Sequence, residues 1–139
     1  MRSHYLFILL FIFSIKTTAQ INPDRISIAR DSFGIPHIFA PTDPEVAYGI
    51  AWAHAEDDFE TLQMVVLSGK AKLGTALGRK GAEADYVIQL LRCRQTVDEQ
   101  WNSLSPDFLE LIKGYVAGLN AYARKYPEKV KYKKAFPFT

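Results

Sequence analysis

The chain of 139 residues holds one cysteine, which excludes an internal disulfide framework. Neither sign of charge dominates, with 17 basic residues against 15 acidic ones. Long apolar runs are also scarce: the longest, Leu6 to Ile15, is interrupted by Ser14 and is about half the roughly 20 residues that a bilayer-spanning helix needs. Several catalytic signatures are missing. The sequence has no G-x-S-x-G elbow, no P-loop, no G-x-G-x-x-G and no H-E-x-x-H. His54-Ala55-Glu56 matches half of a zinc-deaminase signature, but the P-C-x-x-C that completes such a zinc site needs two cysteines.

What remains is a chain able to build a core, with 48% apolar and 13% aromatic residues. Its first 19 residues read as a secretory leader: Arg2 is a positive start, the apolar run follows, and Thr17-Thr18-Ala19 offers small residues before Gln20. Cleavage between Ala19 and Gln20 is expected, with a periplasmic or secreted product. Losing Arg2 and Lys16 leaves 15 basic against 15 acidic residues, so neither nucleic acid nor a membrane is expected as a partner of the mature chain. Charge is nonetheless segregated. Residues 43–60 are acidic and 124–134 basic, and the basic stretch reads as a solvated helix end and linker rather than a patch for an anionic surface.

One structural unit is expected over residues 20–139, beginning with a hairpin over about 25–40. Ile26 and Ile28 alternate with polar neighbours, as do Ile38 and Ala40 with His37 and Phe39. Between them Asp31 opens a turn by accepting backbone N–H groups and Gly34 closes it with a left-handed φ. Pro36 donates no hydrogen bond and belongs at a strand start or sheet edge. The period then changes. Thr42 and Glu45 read as a capping box with Pro44 in the first turn, and Tyr48, Trp52, Ala55, Phe59, Leu62, Val66 and Gly69 recur at spacings of three and four. Helix is predicted over about 43–73, as one piece or two nearly collinear ones. A second flank of Val46, Gly49, Ile50 and Ala53 implies that it is largely buried. A helix end and loop over 73–81 and a second helix over about 84–97 come next. A third helix, over about 106–125, has Ser105 as N-cap and Pro106 at its first position. Gly114 and Gly118, four apart, admit a close neighbour.

Three candidate groups of reactive side chains have plain structural readings. Cys93 reads as a buried thiol, a nucleophilic role needing a base beside it. His37 and His54 read as hydrogen-bonded structural histidines rather than general bases. Glu56, Asp57 and Asp58 are consecutive helical carboxylates that point in different directions and usually meet Arg, Lys or a helix N-terminus rather than a cation.

Residues Arg30-Asp31-Ser32-Phe33-Gly34-Ile35-Pro36-His37-Ile38-Phe39-Ala40, Tyr48-Gly49-Ile50-Ala51-Trp52-Ala53, Ala55-Glu56-Asp57-Asp58 and Tyr115-Val116-Ala117-Gly118-Leu119-Asn120-Ala121-Tyr122 occur in this order. Together they resemble the start of the α chain in the penicillin acylase family of N-terminal-nucleophile hydrolases. Ile35 stands for the usual Val and Ala51 for the second Gly. The resemblance marks Arg30, Asp31, Gly34, Pro36, His37, Tyr48, Gly49, Glu56, Asp57, Tyr115, Gly118 and Asn120 as scaffold positions. It implies an α+β fold, a mainly helical piece with one hairpin from an αββα sandwich. The Glu56-Asp57-Asp58 form resembles the acyl-homoserine-lactone and lipopeptide acylase branch, which tilts the expected small-molecule N-acyl amide substrate towards long acyl chains.

In that family the nucleophile is an N-terminal serine of a second, β chain, whose α-amine shuttles the proton. The only Gly-(Ser/Thr/Cys) step here, Gly74-Thr75, lies outside the family's cleavage context. The expected partners are therefore the remainder of the α chain and the β chain. No catalytic residue, cofactor or metal ligand is expected among these residues, while calcium is implied for the full-length protein. The alternative is a complete exported helical binding module that keeps the scaffold without the chemistry.

Overall fold

In the computed structural model, which describes residues 21–139, Asn22 caps a single 3-10 turn over Pro23–Arg25 by accepting from the Asp24 N–H at 3.1 Å. The expected leader and its expected cleavage between Ala19 and Gln20 lie outside the described residues. Strands β1 (Ser27–Arg30) and β2 (Pro36–Phe39) then pair antiparallel, with Ile28 opposite Ile38 and Arg30 opposite Pro36. The turn is built as its residues require. The Asp31 carboxylate accepts the N–H groups of Phe33 at 2.9 Å and Ile35 at 3.0 Å, and Gly34 sits at φ 82°.

Helix α1 (Asp43–Gly69) leaves helical geometry at Asp58, with φ −154° and ψ 75°. The Asp58 carboxylate accepts the Thr61 N–H at 3.0 Å, so it starts a second helical half as an N-cap would. Past this break Phe59 is buried as expected and is joined by Gln63 and Leu67, while Leu62 and Val66 pack half-buried against the core and Gly69 faces solvent. On the other flank Gly49 and Ala53 are buried as expected, but Ile50 faces solvent. The helix stops at Gly69 rather than 73, because Ala71 adopts a left-handed φ of 49°. Its start also differs from the capping box. Thr42 makes no side-chain bond to the helix backbone; its hydroxyl donates to the buried Glu45 carboxylate at 2.9 Å, and that carboxylate also accepts the Asn22 N–H at 3.4 Å. Glu45 thus ties the entering chain to the helix.

The predicted loop over 73–81 contains α2 (Gly74–Leu77) and the start of α3 (Arg79–Leu90), which share Gly78 at φ 63°. The helix expected over 84–97 is two helices. Leu91 and Arg92 donate back to Val87 and Gln89, Arg92 turns left-handed at φ 54°, and α4 (Cys93–Gln100) begins afresh. No Gly or Pro marks that break in the sequence. Helix α5 (Pro106–Lys125) matches the prediction, with the Ser105 hydroxyl accepting the Phe108 N–H at 3.3 Å. The core lies between α1 and α5. Ala51, Ala55, Phe59 and Leu67 meet Leu119, Tyr122 and Ala123, and the returning C-terminal segment adds Ala135 and Phe138.

Candidate functional site

The motif residues of the hairpin and of the first half of α1 gather where the two elements meet. Gly49 makes the contact: a Cβ there would stand 2.6 Å from Ile38 Cγ2 and 3.1 Å from Ile26 Cγ2. That close approach lets Arg30, the last residue of β1, reach across. Its guanidinium donates to the Gly34 carbonyl at 2.8 Å and to the Ala53 carbonyl at 3.4 Å, and it pairs with Asp57 at 2.8 Å and Glu56 at 3.3 Å. Trp52 Nε1 donates to the other oxygen of Glu56 at 2.9 Å. A groove of about 430 Å³ runs alongside, lined by Ile26, Ile28, Tyr48, Trp52, Arg30 and Glu56.

Electrostatics follow from these bonds. The hydrogen bond to Asp57 is the main cause raising the Arg30 pKa, against some desolvation. Asp31 is held below the usual carboxylate range, chiefly by the Ile35 N–H, with a smaller contribution from His37, whose Nε2 lies 3.3 Å from its Oδ2. The guanidinium already serves two carbonyls and two carboxylates, so the arrangement is a clamp that fixes the turn on the helix. It does not activate a nucleophile. Pro36 begins β2, where its missing N–H is tolerated.

The other motif positions fasten α5. Gly118 lies against α1 so closely that a Cβ would stand 2.5 Å from the Tyr48 carbonyl oxygen, and Gly114 meets the Pro44 carbonyl in the same way. His54 Nδ1 is 3.0 Å from the Tyr115 hydroxyl, whose pKa is raised by burial. Desolvation raises Tyr48 likewise. Asn120 pins the C-terminal segment twice, donating to the Phe138 carbonyl at 3.0 Å and accepting the Phe138 N–H at 2.9 Å.

Two polar anchors carry no motif in the sequence. Gln63 is fully buried, and its Oε1 accepts the N–H groups of Lys131 at 2.9 Å and Tyr132 at 3.0 Å while its amide donates to the Lys129 carbonyl at 3.1 Å. Its position midway between Phe59 and Leu67 on an apolar stripe was the available signal. Asp85 accepts the N–H groups of Leu73 at 2.7 Å and Gly74 at 2.8 Å, which holds α3 on α2.

The basic stretch is no linker. Lys125 and Lys129 lie over the rings of Trp52, Tyr122 and Tyr126, and Lys131 pairs with Glu60. Cys93 is half-buried rather than buried, in a cavity of about 480 Å³ whose lining includes Arg92 and Arg94 and no histidine. A metal is poorly served: Arg30 occupies Glu56 and Asp57, Asp58 caps a helix, and among the described residues no three His, Cys, Asp or Glu side chains gather. Nor is any described helix long and apolar enough to cross a membrane.

The family model described as penicillin amidase matches residues 25–138. The penicillin G acylase of Escherichia coli is 27% identical over 117 residues, which cover 84% of this chain and 14% of that protein. The acyl-homoserine lactone acylase PvdQ of Pseudomonas syringae pv. syringae is 32% identical over 104 residues, covering 69% of this chain and 13% of its own length. A solved structure of a thermostable penicillin G acylase from Alcaligenes faecalis is similar at TM-score 0.67 and 25% identity, over 81% of this chain and 58% of that one. The chain therefore spans only 13–14% of the length of these curated relatives.

Proposed function

Because this chain belongs to the penicillin amidase family, we propose that it is the N-terminal scaffold of an exported amidohydrolase precursor that cleaves linear N-acyl amides with a nucleophile borne on a second chain. One observation carries this reading. Motif positions far apart in sequence converge to hold one frame together, since Arg30 and Gly34 clamp to Glu56 and Asp57, while Gly118 and Asn120 fasten α5 to α1 and to the returning segment. Their polar atoms are engaged with each other and with backbone, as befits groups that give support.

In the proposed reaction the N-terminal serine of the second chain attacks the amide carbonyl, its α-amine carries the proton, and water then frees the acyl group. Residues 21–139 contribute position, through the hairpin clamp and the paired helices, rather than a reacting atom. A calcium ion in the whole protein would take its ligands from outside these residues. The Glu56-Asp57-Asp58 form and the 32% identity to an acyl-homoserine lactone acylase favour a long-chain acyl amide.

The test is to express the reading frame that runs through codon 139. Processing into two chains, a serine at the new N-terminus, and hydrolysis of a long-chain N-acyl amide that vanishes on changing that serine to alanine are expected. Cleavage unaffected by that change would overturn the reading.

A further inference from the structure

Resting on the reading as part of a longer acylase, we infer that α3 and α4 form a docking arm whose apolar stripes seat against the polypeptide that follows residue 139. Among the described residues, none from 77 to 113 joins the core or the ring of side chains packed on it. The arm is held to the rest by its base, where Asp85 accepts the Leu73 and Gly74 N–H groups and Gly81 packs against the Leu73 carbonyl. Beyond that base its apolar groups face outwards. Tyr86 and Leu90, four apart, are each 66% exposed, and Val87 and Leu91 run beside them at 49% and 64%. On α4, Val97 is 51% exposed, and Trp101 four residues on is 38% exposed. Scattered apolar residues on a surface are ordinary, but a continuous helical stripe of large ones is not.

Charge decides what kind of surface covers them. Between residues 79 and 100 there are four basic and four acidic side chains, and Arg79–Glu83, Arg92–Glu99 and Arg94–Asp98 already pair with one another. A membrane-surface helix carries several unpaired Lys and Arg on its polar face, whereas three of this arm's four basic side chains are paired and Lys80 alone stands without an ion pair among the described residues. An apolar centre with a self-neutralised polar rim is instead the anatomy of a protein interface. The relatives are about seven times the length matched here, since the match covers 13–14% of them. That supplies ample continuing polypeptide, and an arm without a core of its own gains most by seating on it.

The experiment uses the precursor translated through codon 139, with the photo-crosslinking residue p-benzoylphenylalanine replacing Leu90, and Tyr86 in a second version. Crosslinks to peptides beyond residue 139 are expected. Crosslinks to residues 21–139 of a second copy, to an unrelated envelope protein, or to nothing would overturn the inference. In parallel, Leu90→Glu with Val97→Glu should lower the yield of processed protein at least fivefold, while Lys80→Glu, on the same arm, should not; equal yields would also overturn it. A precursor that crosslinks as expected yet leaves N-acyl amides intact would preserve the docking arm and remove the amidase reading.

Discussion

Gly34 and Gly118 are both required to be glycine, for opposite reasons. Around Gly34 there is open space, and only its φ of 82° restricts replacement; a β-branched side chain there costs about 1–2 kcal/mol in backbone strain. Gly118 has an ordinary φ but no space, and an alanine Cβ would press on the Tyr48 carbonyl and on Ala51 Cβ at 2.8 Å. Neither neighbour can rotate away, so α1 and α5 must part, at about 3 kcal/mol or more. Gly34→Val is therefore expected to loosen the hairpin and block maturation of the precursor, and Gly118→Ala to lower helix protection as well. Hydrogen exchange of the β1, β2 and α5 amides separates the two: loss confined to the hairpin in the first, spread over both helices in the second. Asp31 gives the turn a pH dependence. Its folded-state pKa is lowered, so the stabilisation is complete above the ordinary carboxylate value near ~4 and disappears as pH falls through the lowered one. The protection advantage of the wild-type turn over Asp31→Ala should stay constant between about pH 7 and 5 and shrink below about pH 4. A constant advantage down to about pH 2 would show that the carboxylate is not what holds the turn.

Helix α1 works as two halves with separate anchors, and Asp58 is where they meet. The first half is fixed to the hairpin by Arg30, the second to the returning segment by Gln63 and by Lys70, whose ammonium donates to the carbonyls of Ala135 at 3.3 Å and Pro137 at 3.0 Å. Desolvation lowers the Lys70 pKa accordingly. Gln63→Leu would fill the space but leave two backbone N–H groups without their acceptor, which should cost about 2 kcal/mol in protection of residues 129–132. Glu60→Gln, which weakens an exposed pair with Lys131, should cost much less. Equal effects would mean that Gln63 is merely packed. The sequence made the hairpin, the Asp31–Gly34 turn and α5 legible, because their signals are local: alternation, turn chemistry and a Ser-Pro start. It left open that α1 is two nearly collinear pieces but did not mark Asp58 as the joint, and it hid the break at Arg92, since nearby apolar residues continue the pattern through both. It also could not separate Thr42 and Glu45 as a capping box from Glu45 as a buried tie to Asn22, because the tie comes from outside the helix. Arg30 and Glu56 were marked only by motif; that they touch depends on Gly49 letting the hairpin come close.

Taken together, residues 21–139 form a frame whose polar groups are well satisfied and whose apolar groups are not. No buried side-chain nitrogen or oxygen among the described residues lacks a hydrogen-bond partner, whereas Phe33, Ile35 and Phe39 on the hairpin and the stripes of α3 and α4 face solvent. A two-stranded sheet is marginal without further cover. These features together argue that the surfaces of the frame are meant to be covered while its interior is finished. The isolated segment of residues 20–139 is accordingly expected to bind an apolar dye, to associate beyond a monomer at micromolar concentration, and to leave long-chain N-acyl amides intact over hours at neutral pH. Size-exclusion chromatography with light scattering and an amine-release assay measure all of this on one preparation. A monodisperse monomer with a cooperative melt would argue that the frame is self-sufficient. Amide cleavage that co-purifies with that monomer would place the reactive group inside these residues and remove the need for a second chain.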